Sequence, residues 1–212
     1  YWDYSQYSIG YGSACTKDEY PNGITEAQAD ILLREMLQKF ETSLDKFLQD
    51  SNLTLTDNQY DALISLTYNI GAGWMKDTRL SKLLQSGNYT NNEIASAIGI
   101  WCHVKENGVT SIHNGLVSRR IAEINVFLYG DYSGSDSGFC WVKFTSDKGS
   151  CERDIAFYET GSTCNPFFTA ECDDGDVFAG WYTSDGEELT ADMTVWQNLT
   201  VTARWQSEEF WY

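Results

Sequence analysis

A chain of 212 residues is long enough for one large or two modest domains, and its 42% hydrophobic and 15% aromatic content excludes a disordered polymer. A net charge of −17 excludes nucleic acid as a partner, because phosphate binding needs clustered Lys and Arg, and it works against simple electrostatic adhesion to an anionic wall. No apolar run approaches the roughly 20 residues that span a membrane, and no secretory leader is visible, so the chain reads as mature or as an internal fragment.

Residues 1–20, rich in Tyr, Gly and Ser, read as hairpin and loop. Here Asp3 precedes Ser8-Ile9-Gly10-Tyr11-Gly12: a carboxylate, a hydroxyl and a Gly-aromatic-Gly turn make a compact polar apparatus suited to the mouth of a cleft. Thr25 with Gln28 has capping-box spacing, and Ile31, Leu32, Met36, Phe40, Leu44, Phe47 and Leu48 follow at helical intervals, which predicts one long helix. Thr56 with Gln59 is a second box, leading through Ala62, Leu63 and Leu66 to a stop at Gly71. Leu80, Leu83 and Leu84 predict a short helix ending near Gly87. Thr90 with Glu93 opens another through Ile94, Ala97, Ile98 and Trp101. Leu116, Ile121, Ile124, Phe127 and Leu128 form a last helix closed by Gly130. A small β lobe joined to a helical lobe by a long helix leaves a cleft able to hold a polymer.

The composition then changes. Residues 1–132 carry 10 basic against 16 acidic residues, and residues 133–212 carry 4 against 15. The Gly/Ser/Asp stretch 133–138 reads as a flexible linker. Beyond it the pattern is β. Residues 140–144 alternate toward a turn at Asp147-Lys148-Gly149, and residues 154–158 return. Residues 178–182 and 198–205 add further strands, with Trp181, Tyr182, Trp196 and Trp205 expected in core and hairpin packing. The fold class is therefore α+β, a mainly helical two-lobed domain over 1–132 and a small β-rich module over 139–206, with 207–212 as a tail.

Four ordered segments carry a resemblance. Tyr1-Trp2-Asp3 with Ser8-Ile9-Gly10-Tyr11-Gly12, then residues 24–33, then Asn58-Gln59-Tyr60-Asp61-Ala62-Leu63 through Tyr68-Asn69-Ile70-Gly71, and finally Gly115-Leu116-Val117-Ser118-Arg119-Arg120 through Glu123 resemble the phage-type lysozymes, endolysins that cleave peptidoglycan. Residues 139–206, with Phe178-Ala179-Gly180-Trp181-Tyr182 and Leu199 through Trp205, resemble one internalin-type B-repeat, a β-grasp-like surface module.

The lysozyme resemblance implies cleavage of the β-1,4 bond between N-acetylmuramic acid and N-acetylglucosamine with inversion. Such chemistry uses one carboxylic acid as proton donor and a second carboxylate to direct water. Asp3 matches the second carboxylate, and Ser8 matches the hydroxyl residue that helps hold the water. The acid is implied about seven residues before Tyr1, outside this chain, so the chain alone is expected to be inactive or nearly so. Tyr68 and Asn69 match the element facing the sugar cleft, where the Asn69 amide suits an N-acetyl group. Arg119 and Arg120 read as ion-pairing residues on the last helix, with Glu123 as their partner.

The resemblance implies no metal, nucleotide or other cofactor, and two His without a Cys-x-x-Cys pair make no zinc site. The expected partners are peptidoglycan glycan strands and, through the repeat, other wall or surface components; the expected protein is monomeric and secreted or at the cell surface. Its six cysteines then read as disulfides within each part, Cys15 with Cys102, and Cys140, Cys151, Cys164 and Cys172 in one of three pairings. A wall-binding or adhesion protein with a degenerate lysozyme domain, a chitinase-like hydrolase and a purely structural surface protein stay open beside the lysozyme reading.

Overall fold

Threonines open four of the five α-helices among the described residues. The structure, a computed structural model, describes residues 2–3, 6–173 and 175–207, and of Asp3 the backbone alone. In α1 (Glu26–Ser51) the Gln28 amide donates to Thr25 Oγ1 at 3.2 Å while the Thr25 amide donates to Gln28 Oε1 at 2.8 Å. Both orphan donors at the helix start are thereby satisfied. The same reciprocal box starts α2 (Asp57–Ile70) at Thr56 and Gln59, α3 (Arg79–Ser86) at Thr78 and Ser81, and α4 (Asn91–Gly99) at Thr90 and Glu93. Gly87 and Gly130, both left-handed, end α3 and α5 (Asn114–Tyr129). The Thr78 box was not foreseen, because Ser at its third position replaces the usual Glu or Gln.

Strands β1 (Trp2–Asp3), β2 (Gln6–Ile9) and β3 (Ser13–Cys15) form an antiparallel lobe. It seats on α1 at Gly10, whose φ of +58° and position against Ala29 leave no room for a side chain. Leu44, Phe47, Leu63, Leu66, Trp74, Ile94, Ile98, Ile121, Ile124 and Phe127 build the helical core. A hairpin not anticipated from the sequence, β4 (His103–Glu106) and β5 (Val109–Ile112), projects between α4 and α5. Its turn, Asn107-Gly108, has positive φ at both residues, the conformation a two-residue hairpin of this kind requires.

Strands β6 (Phe139–Thr145), β8 (Ile155–Glu159), β10 (Asp176–Tyr182), β11 (Glu188–Leu189) and β12 (Leu199–Ser207) form one mixed sheet ordered β11-β10-β12-β6-β8. The pairs are antiparallel except β12 with β6. A small ribbon, β7 (Ser150–Cys151) with β9 (Ala170–Glu171), lies beside it. Along β6 and β8 the side chains alternate between two cores. Phe139, Ile155 and Phe157 join the helical core, and Cys140, Val142, Phe144, Ala156 and Tyr158 join a second one around Trp181. The Trp181 indole donates to the Phe168 carbonyl at 2.7 Å. Gly180 sits at a register shift in the β10–β12 pairing, with φ of +146°.

The sheet is docked rather than tethered. β8 is its outer strand, and α4 covers the exposed edge: Asn92 Oδ1 accepts from the Glu159 amide at 2.8 Å, and Ser96 Oγ binds both the amide and the carbonyl of Phe157. Gly99, one turn further, lies flat on the Phe157 ring. The stretch 133–138, expected to be flexible, is strapped to α5 by Asn125, whose amide donates to the carbonyls of Ser135 and Ser137.

Two expectations are corrected. No disulfide is present: Cys15, Cys102, Cys140, Cys151, Cys164 and Cys172 are free thiols. Cys15 lies on β3 opposite Tyr7, whereas Cys102 is fully buried in the helical core. Cys140 and Cys164 share the second core, but Tyr158 pairs in register with Cys140 and hydrogen-bonds Cys164. Cys151 faces Ala170, and Cys172 donates to the Asp176 carbonyl. Trp196 is the other correction. It is 71% exposed and lies over Gly161 instead of packing in the core.

Candidate active site

The register Asp3↔Gln6 sets Asp3 diagonally from Ser8 across the β1–β2 ribbon. The Asp3 side chain lies outside the described residues. Ser8 is fully buried on β2, opposite Ala14 on β3. The Gly10-Tyr11-Gly12 turn that follows is held from the helical side by Tyr68, whose hydroxyl donates to the Tyr11 carbonyl at 2.7 Å. Tyr11 itself stands beside Asp30 of α1, whose negative charge holds the phenol above its usual pKa. Tyr68 thus braces the β lobe against α2.

Its neighbour Asn69 turns elsewhere. Asn69 lines a cavity of about 450 Å³ together with Ile70, Ile100, Trp101, His103, Thr110 and Leu116. The end of α2, the end of α4, the hairpin β4–β5 and the start of α5 each supply part of this wall. The structure therefore separates the two residues expected to face sugar, one as a strut and one at a cavity. It also adds two that the sequence reading passed over, His103 and Thr110. The overlooked signal was Asn107-Gly108 between β-prone residues, a strong hairpin mark that would have placed both on one strand pair.

Beneath Asn69 runs a buried polar network. Arg120 is fully buried; its Nε stands 2.7 Å from Glu123 Oε2, and its Nη2 donates to Glu123 Oε1 at 3.0 Å. It also donates to the Trp101 carbonyl at 3.0 Å and to Asn69 Oδ1 at 2.9 Å. Burial lowers the guanidinium's pKa, and Glu123 opposes that fall. Glu123 is further bound by Ser65 Oγ at 2.7 Å and by Arg119 Nε at 3.0 Å. The ion-pair reading of Arg119 and Arg120 agrees with this geometry.

On the other side His103 Nδ1 lies 2.9 Å from the Ile100 carbonyl and Nε2 lies 2.6 Å from Asp154 Oδ2. The Asp154 hydrogen bond raises the imidazole's pKa, and the same bond lowers that of Asp154. Asp154 belongs to the β7–β8 connection, so the sheet supplies a partner to a residue lining the cavity. Among the described residues no cluster of three His, Cys, Asp or Glu side chains forms a metal site, and no helix is long and apolar enough to cross a membrane.

The cavity is mostly apolar with a few polar groups, walled by helix ends and a hairpin, the usual make-up of a small-molecule site. Comparison with known proteins places the chain in a family. Residues 1–123 match the family Phage lysozyme. The endolysin of Bacillus phage B103 is 36% identical over 125 residues, covering 59% of this chain and 44% of the relative. That of Bacillus phage PZA is 32% identical over 139 residues, covering 66% of this chain and 50% of the relative. The chain thus spans about half the length of these two relatives. The endolysin of Acyrthosiphon pisum secondary endosymbiont phage 1 is 34% identical, with 80% of its length covered and 58% of this chain. Among solved structures, the muramidase domain of SpmX from Asticaccaulis excentricus aligns over 58% of this chain and 80% of its own with 30% identity and a TM-score of 0.49. A family match over more than half the chain, joined by a 34% identical relative matched over four fifths of its length, establishes that the chain belongs to the phage lysozyme family.

Proposed function

We propose that the chain forms the glycan-binding and water-directing part of a peptidoglycan hydrolase. It acts on the β-1,4 bond between N-acetylmuramic acid and N-acetylglucosamine, at the cell wall. The observation that carries this reading is the cavity beside Asn69 in a chain matched to the lysozyme family over residues 1–123. Relatives named endolysins support it. In this reading Asp3 directs the attacking water with help from Ser8, and a carboxylic acid upstream of Tyr1 protonates the leaving oxygen. Asn69 binds the sugar, and Tyr68 keeps the β lobe at its distance from α2. The reaction needs no cofactor. Residues 1–132 act as the hydrolase domain and residues 139–206 as a B-repeat-like module of β-grasp type, in a secreted or surface-located monomer. The sheet's docking on α4 favours a module that supports the cleft over one that serves as a spacer.

The test is turbidity and muropeptide release from purified sacculi, run with the 212-residue chain and with the chain extended by the residues its gene encodes before Tyr1. The extended protein is expected to clear the suspension and release muropeptides ending in reducing N-acetylmuramic acid. The shorter chain should bind without clearing. Binding of both without any cleavage would move the assignment to a wall-binding protein with a degenerate lysozyme domain. Cleavage of chitooligosaccharides with sacculi untouched would move it to a chitinase-like enzyme.

A further inference from the structure

The cavity beside Asn69 has three polar side chains, Asn69, His103 and Thr110, among Ile70, Ile100, Trp101 and Leu116. The polar atoms of His103 are already taken. Ile100 offers a carbonyl and Asp154 a carboxylate, both pure acceptors, so each ring nitrogen is turned away from a ligand. The ring gives the cavity carbon atoms only. Asn69 differs. A guanidinium carries five donors and no acceptor, so the amide atom 2.9 Å from Arg120 Nη2 must be the oxygen. The other amide atom, Nδ2, meets no acceptor among the described residues and sits on an exposed side chain at the cavity wall. Flipping the amide would set donor against donor. Arg120 cannot yield, because Glu123 and the Trp101 carbonyl hold the rest of its fork.

We propose that Arg120 is a positioning residue for glycan recognition. It locks the Asn69 amide oxygen-inward, so that the cavity presents one N–H donor beside an apolar floor. The group that fits this pairing is an acetamido substituent: its carbonyl oxygen accepts from Asn69 Nδ2, and its methyl packs on Ile70, Ile100, Trp101 and Leu116. A free amine or hydroxyl at that carbon has no methyl for the floor and no carbonyl for the donor. The cavity thereby selects N-acetylated over de-N-acetylated glycan. This inference rests on the lysozyme reading and extends it to one atom of one substituent.

The variant Asn69→Asp keeps an oxygen facing Arg120 and replaces the outward donor with an acceptor. The measurement is retention of the 212-residue chain on purified sacculi, native or chemically de-N-acetylated, at high salt, which screens the attraction between the chain's net charge of −17 and the ammonium groups that de-N-acetylation exposes. The unaltered chain is expected to bind native sacculi about tenfold more tightly than de-N-acetylated ones. N69D should lose about tenfold on native sacculi, lose nothing further on de-N-acetylated ones, and melt no lower than the unaltered chain. NMR titration of the carboxyl introduced in that variant tests the Arg120 contact itself. A pKa well below about 3.9 is expected, and an ordinary value overturns the positioning role. In R120K the preference for acetylated sacculi should shrink, and adding N69D should cost nothing more. If R120K does not fold, the titration of the introduced carboxyl decides alone. N69D binding as well as the unaltered chain, or indifference to de-N-acetylation, overturns the inference while the lysozyme reading stands. An unaltered chain that leaves native sacculi unbound overturns both.

Discussion

Ser96 Oγ on α4 serves both backbone groups of Phe157 on β8, donating to its carbonyl at 2.9 Å and accepting from its amide at 3.0 Å. One hydroxyl thereby satisfies two groups on the outer strand of the sheet, at a place closed to water. Replacing Ser96 by Ala would leave both unpaired, at a cost of about 2–3 kcal/mol. Urea denaturation should show stability falling by that amount while cleft binding to sacculi persists. An unchanged midpoint would mean that water reaches Phe157 and that the docking is loose.

Gly99→Ala tests the same interface by packing. A Cβ there would lie 2.1 Å from the Phe157 ring, closer than any real contact, so the sheet must shift or the helix must bend. A loss of about 1–3 kcal/mol or more is expected, together with faster proteolysis near 133–138. Equal stability would show that β8 has slack against α4.

Gly10→Ala probes the seat of the β lobe and is best compared with Gly23→Ala. Both glycines have positive φ, but a Cβ at Gly10 meets Ala29 Cβ at 2.9 Å and Ile24 Cδ1 at 3.2 Å, whereas Gly23 faces open space. Both variants carry the backbone penalty, roughly 1 kcal/mol, and G10A adds overpacking of about 1–3 kcal/mol. Thermal melts should therefore rank G10A clearly below G23A; identical melts would remove the steric argument.

The His103–Asp154 pair should leave a mark on the pH dependence of stability. His103 is raised from 6.5 in the folded chain, so its contribution is complete below 6.5 and fades as pH climbs through the raised value. Asp154 is lowered from 3.8, so its contribution is complete above 3.8 and fades as pH drops through the lowered value. The stability difference between the unaltered chain and D154A should be largest and flat between 3.8 and 6.5, shrinking on either side. Its size is modest, because half of the Asp154 side chain is open to solvent. A difference constant from acid to alkaline pH would deny the pair any role in docking.

Thiol titration checks the cysteines. Six thiols should react in guanidinium without reductant. In the folded chain Cys102 should be the slowest or among the slowest, since burial raises its pKa to about 11 and leaves little thiolate at neutral pH. Fewer than six in denaturant would mean that bridges form in solution.

The helices were legible because their starts are local. A threonine and a residue three positions on are enough to mark a box, and at Thr25, Thr56 and Thr90 the structure has it. The alternation along residues 140–144 likewise foretold β6. What the sequence concealed lies in contacts between distant residues. Nothing around Ser96 or Asn92 announces a strand edge more than 60 positions away, and beside Asn91 and Glu93 on the same helix they look like part of a solvated face. Asn69 was legible as a cleft residue through its motif, but the orientation of its amide depends on Arg120, 51 positions on. The cysteines misled for a related reason. An even count in each half is compatible with bridges, yet all six are free thiols, and Cys164 hydrogen-bonds Tyr158, the residue in register with Cys140.

The covering of β8 by Asn92, Ser96 and Gly99 also bears on how the chain can be cut. A fragment comprising residues 133–207 would carry a bare strand whose amides, carbonyls and apolar side chains await a partner, and a second fragment's β8 is the nearest match. Such a piece should pair edge to edge or precipitate. The helical half, stripped of Phe139, Ile155 and Phe157, would present an oily hollow along α4. The two pieces are therefore poor cassettes for recombination, because each depends on the matching face of the other.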